Sequence, residues 1–151
     1  MSDEHPSIDD SVLGAFERAT GAADDGSVLT YDWYTGSADV DGETVELMLE
    51  GADPDEAQKR LPRLRAVMAD LDRVQRAASD AVVAAFSQGD PSPHDLEEGA
   101  SDLLLEAVEA GADGSIVLHF TDACGEHFPE GYWPAAHLAD DDTVATVTVE
   151  S

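Results

Sequence analysis

Basic residues are nearly missing from this chain. Seven Lys and Arg face 34 Asp and Glu over 151 residues, a formal net charge of −27. There is one lysine, Lys59, and one cysteine, Cys124. A single cysteine excludes an internal disulfide and points to a reducing compartment. The first ten residues carry no basic stretch and no apolar core of a signal peptide, so a soluble cytoplasmic protein is expected. The longest apolar run, Ala81 to Phe86, is far short of the ~20 residues that span a bilayer. A chain this anionic repels phosphate, which argues against nucleic-acid and anionic membrane partners.

The few cations are not scattered. Six of the seven lie between Lys59 and Arg76, where six basic and two acidic residues give +4. The remaining 133 residues hold one basic and thirty-two acidic residues, or −31, and the two parts make up the −27 of the whole. On a 100° helical projection Lys59, Arg65, Arg73 and Arg76 fall opposite the apolar stripe and face solvent. Glu56–Arg60, Asp70–Arg73 and Asp72–Arg76 stand at helical pairing distance.

A 15.9 kDa globule exposes roughly 7,000 Å², so its net charge averages about one per 270 Å². Duplex DNA is two to three times denser, with on the order of 100 Å² per charge. The acids run from Asp3 to Glu150 and Asp outnumbers Glu. This pattern fits the surface of a protein adapted to a salty cytosol, where salt screens self-repulsion.

At 42% hydrophobic residues the chain is globular, and its length suits one domain, expected over residues 8–151 behind a disordered tail at 1–7. Ser11–Thr20 fits either a helix or an edge strand. Val28–Tyr34 and Thr44–Glu50 alternate as strands, with Val45, Leu47 and Leu49 inward, and Asp41-Gly42 marks the hairpin between them. Asp53 is a helix N-cap, with Pro54 at N1 and Glu56 at N3. The helix runs towards Ser87, kinked or restarted at Pro62, with a stripe from Leu64 to Phe86. A second helix is expected over Asp95–Ala110, ended by Gly111 as C′ residue. Ser115–Phe120 is a strand, Thr121–Leu138 a long loop, and Thr143–Glu150 the last strand. The expected fold is therefore α+β: an antiparallel sheet of four to five strands in ββ-αα-ββ order, with two helices on one face.

Candidate chemistry is sparse. Cys124-x2-His127 has a zinc-ligand spacing, and His119 and His137 flank it, so these four are the candidate metal ligands. The same Cys124–His127 pair is a weaker nucleophile candidate, since no third orienting group is evident. His119 shares a strand face with Val117, which also fits a half-buried histidine on the outer side of the sheet. Asp140-Asp141-Asp142 and Asp39-x-Asp41 read as solvated turns before they read as cation ligands. Phe128-Pro129-Glu130-Gly131-Tyr132-Trp133-Pro134 is the most unusual peptide. It is either a lid closing the core or a presented aromatic surface, with Phe128, Tyr132 and Trp133 as candidate binding residues.

The run YDWYTGSADVDGETVELMLE (residues 31–50) and the closing TVATVTVE (143–150) resemble small bacterial α+β domains. Some relatives of that group look like immunity proteins in toxin–antitoxin neighbourhoods. The resemblance implies a binding module without catalysis and brings no catalytic residues. The expected function is thus a non-enzymatic, acidic, inhibitor- or immunity-like protein for a basic protein partner, needing no cofactor. A metal-binding protein or metal-dependent enzyme using the His119/Cys124/His127/His137 region is the alternative.

Overall fold

The computed structural model describes residues 7–40, 42–86, 90–111, 114–122, 133–139 and 143–150, with backbone alone at 22, 28–30, 122, 133 and 150. Eight strands form one sheet in chain order. The first four are β1 (Ile8–Asp10), β2 (Gly14–Ala22), β3 (Val28–Val40) and β4 (Glu43–Glu50), a meander of antiparallel neighbours. Four helical segments follow: α1 (Pro54–Gln58), α2 (Leu61–Ala69), α3 (Leu71–Phe86) and α4 (Pro93–Asp102). A second meander completes the sheet, with β5 (Leu103–Ala110), β6 (Ile116–Asp122), β7 (Trp133–Leu138) and β8 (Val144–Glu150). The helical crossover carries the chain back to the same end of the sheet, so β4 and β5 pair in parallel. This corrects the expected four- to five-stranded antiparallel sheet: the sheet has eight strands and is mixed.

Three elements account for the difference. Ser11–Thr20, open between helix and edge strand from sequence alone, is a turn and then strand: the Asp10 carboxylate accepts from Val12 N–H and Leu13 N–H, and Gly14 at φ 90° turns the chain into β2. Residues 103–110 are a strand, not the second half of a helix. Their helix-favouring composition is overridden by pairing to β4 and β6 on both sides. A register shift between Leu105 and Ala107 breaks the alternation, so that Leu103 and Leu105 point into the core and then Val108 and Ala110 do. That spacing imitates a helical stripe in sequence. Gly111 accordingly follows a strand, donating to Ser115 O in the β5–β6 turn. Third, Trp133–Leu138 is a strand inside the expected loop. Its proline lies beyond the last β6 pair, His119↔Ala135, where a missing N–H does not interrupt that ladder.

Elsewhere local chemistry and structure agree. Asp53 caps α1 by accepting from Glu56 N–H at 2.8 Å, with Pro54 in the first turn. Pro62 stands in the first turn of α2, where its missing N–H costs nothing. Asp70, at φ −121°, then separates α2 from α3. Leu64, Val67, Leu71, Val74, Ala78 and Val82 are buried as the stripe requires, whereas Phe86 at its end is half exposed. Gly42 of the expected hairpin takes φ 84°, and β3 and β4 run in register up to Val40↔Glu43.

The helices cover one face. Helix α2 packs on β5 and α3 on β7 and β8. One continuous core holds Ile8 and Phe16 of the first meander together with Leu118, Phe120 and Leu138 of the second. The sheet cannot be flat. Arg65 of α2 bonds Asp10 of β1, and Arg63 of α2 bonds Ala139 O just after β7. β1 and β7 are six strand spacings apart, about 29 Å on a flat sheet. A helix with its side chains is only about 10–12 Å across. The sheet must therefore curl around α2.

Asp10 makes this closure sensitive to acid. Its side chain is 1% exposed, and the hydrogen bond from the Arg65 guanidinium, helped by the Leu13 and Val12 amides, holds its carboxyl below the usual range against the cost of burial. A carboxyl whose folded-state pKa is depressed contributes stability that is present above its unfolded pKa of about 3.9 and is lost as pH falls through the folded value. Melting from pH 6 downwards should show that loss below about pH 4 in the wild type. The difference between wild type and Asp10→Asn should shrink over the same range, and a constant difference would contradict the assignment.

Candidate binding surface

The outer face of the sheet, away from the helices, carries two of the three described histidines; the third, His94, is on α4. His119 on β6 and His137 on β7 sit on that face, next to Ala135 and Val117 respectively. The His119 Nε2 shares a hydrogen bond with Glu109 Oε1 at 3.2 Å, and both are about a quarter exposed. The His137 Nε2 shares one with Thr148 Oγ1 at 2.8 Å. Each ring thus ties neighbouring strands together. The partners Glu109 and Thr148 were not candidates from sequence. With Glu109 read on a helix, its place opposite Val117 on the β5–β6 ladder could not be seen.

Cys124, His127, Phe128 and Tyr132 lie outside the described residues, as do Asp41 and Asp140–Asp142, and of Trp133 only the backbone in β7 is described. Among the described residues, no three His, Cys, Asp or Glu side chains converge as metal ligands do. No described helix is long and apolar enough to cross a membrane.

The arginines are paired with acceptors of this chain, and Arg65, Arg73 and Arg76 of the helical stretch stay partly exposed, as their helical projection requires. Arg18 bonds Asp32 at 2.9 Å and the carbonyl of Ala52, and its guanidinium lies over the Tyr34 ring. Arg60 donates to Glu50 O, tying the first turns of the crossover to β4. Arg63 donates to Gly114 O at 3.2 Å and Ala139 O at 2.9 Å, clamping two turns of the second meander. Arg65 holds Asp10. Arg76 joins Asp80 to Glu97, linking α3 to α4, and not Asp72 as helical spacing allowed. Arg73–Asp70 is as expected, a local pair between α3 and the α2–α3 junction. All six arginines are ties within the fold. Lys59 is exposed.

The consequence is electrostatic. Net −27 over 8644 Å² leaves about one negative charge per 320 Å², with the cations turned to internal use. Two cavities of about 380 and 400 Å³ lie either side of Val40, between the β3–β4 hairpin end, the α2–α3 junction and the start of β5. Acidic side chains surround both. The chain matches no family model, no curated protein and no solved structure.

Proposed function

We propose that this chain is a non-enzymatic binding protein whose anionic surface receives a basic protein partner, in the manner of an inhibitor or immunity protein. One observation carries the proposal: the chain is net −27 and each of its six arginines is already bonded to an acceptor of this same chain, so the exterior field is anionic. Such a field accelerates encounter with a basic patch and rejects anionic competitors. The engagement of His119 and His137 with Glu109 and Thr148 gives those rings a structural use. The same surface suits a salty cytosol, where screening relieves the self-repulsion.

Capture from a lysate at native salt tests this. A discrete basic protein, recovered at a fixed ratio and released as KCl is raised, is the expected result. Recovery of no basic protein contradicts it. One tightly held zinc per chain in protein prepared without a metal-affinity tag, lost in Cys124→Ala, supports the metal-binding alternative instead.

A further inference from the structure

The two cavities beside Val40 differ from the general anionic surface in having an apolar floor. Val40 and Met68 are half-buried there, Leu71 and Leu105 are buried, and Leu104 is 42% exposed. Leu104 stands out because a leucine on a strand start is normally covered, and here it lies open at the edge of the 380 Å³ cavity. The rim is built from separate elements: Asp39 and Glu43 from the β3–β4 hairpin, Asp70 and Asp72 from the α2–α3 junction, and Glu106 from β5. All five are exposed. Arg73 holds Asp70. Gln75 of α3 reaches the same space and supplies a neutral donor and acceptor.

From this we infer that the groove on either side of Val40 is the docking site for an amphipathic basic peptide segment, one carrying apolar anchors between lysines or arginines. The inference rests on the proposed basic partner and adds which part of that partner is read and where. Charge alone selects any cation. An apolar floor under an acidic rim selects a segment whose cationic heads stay at the rim while its apolar side chains leave water. The exposed carboxylates of the rim are hydrated until a cation arrives, so docking replaces water with charge-assisted hydrogen bonds. An anionic or purely apolar segment meets repulsion or an unmatched rim.

Fluorescence anisotropy with two labelled synthetic peptides tests this. One is an amphipathic Leu/Lys peptide of 14 residues. The other is a Gly/Lys peptide of the same length and charge. The Leu/Lys peptide should bind at least ten-fold more tightly. Leu104→Ser, at an exposed position where folding should be retained and is checked by melting, should weaken Leu/Lys binding about ten-fold and leave Gly/Lys binding unchanged. Val12→Ser, at an exposed position on the β1–β2 turn, should change neither. Glu43→Gln/Asp72→Asn should weaken the Leu/Lys peptide more than Glu17→Gln/Asp24→Asn, which removes the same charge elsewhere. Equal affinity for the two peptides, or an indifferent Leu104→Ser, overturns the docking groove and leaves the broader proposal of a basic partner standing. Failure of both peptides to bind at 0.1 M KCl overturns both.

Discussion

Arg63→Met should lower stability by about 3 kcal/mol. The methionine keeps most of the alkyl volume and removes two hydrogen bonds from a charged donor. Gly114 O and Ala139 O then lose that donor at the turns where the curled sheet meets α2. A hydrogen bond to a charged group contributes about 1.5–3 kcal/mol, and a buried acceptor left without a donor costs about 1–3 kcal/mol. Partial exposure of Arg63 places the sum of the two losses near the lower end. For a chain of this size the change corresponds to a melting temperature lower by roughly 6–12 °C. Arg73→Met is the comparison: it removes an exposed local pair at the α2–α3 junction and should stay within about 0.5 kcal/mol. Equal small effects in the two variants would show that Arg63 is an ordinary surface cation.

How far the sequence reveals this arrangement depends on the range of the interaction. The α1 cap, the Pro62 restart and the inward residues of β4 are set within a few positions, and all are legible. Of the three strands that escaped, β1, β5 and β7, the last two are those whose identity comes from neighbours. Leu103–Ala110 has helix-forming residues and an interrupted alternation, and only its place between β4 and β6 makes it a strand. Trp133–Leu138 carries a proline that discourages a strand assignment until its position beyond the β6 ladder is known. Missing those three strands turned an eight-stranded mixed sheet into a smaller antiparallel one.

The candidate surface is less legible still. The clustering of cations at 59–76 is plain in the sequence, but its use is not. Arg63 reaches acceptors 51 and 76 positions away, and Arg65 reaches one 55 positions away. Helical spacing offers Asp72 to Arg76, while the fold offers Asp80 and Glu97. The groove beside Val40 draws on four separated stretches of chain. Its apolar floor has no local signature, since Met68, Leu71 and Leu105 look like ordinary core residues.

Each arginine is bonded to an acceptor of this chain, and net −27 leaves the exterior with uncompensated negative charge. Salt dependence of folding measures that charge. A surface of this kind repels itself in the folded state and less in the expanded chain, so screening favours folding. The Debye length falls from about 10 Å at 0.1 M to about 3 Å at 1 M salt. Thermal melting at neutral pH should therefore move strongly upward between 0.1 M and 2 M KCl. Relief of even about 3 kcal/mol corresponds to a rise of roughly 6–12 °C for a chain of this length. Arg63→Met should rise in parallel with the wild type, because its lost bonds are short-range ties that this screening does not replace. A melting temperature that climbs with KCl in both proteins is the predicted result. One that stays flat or falls over that range would mean the negative charges are already compensated, and would contradict the claim.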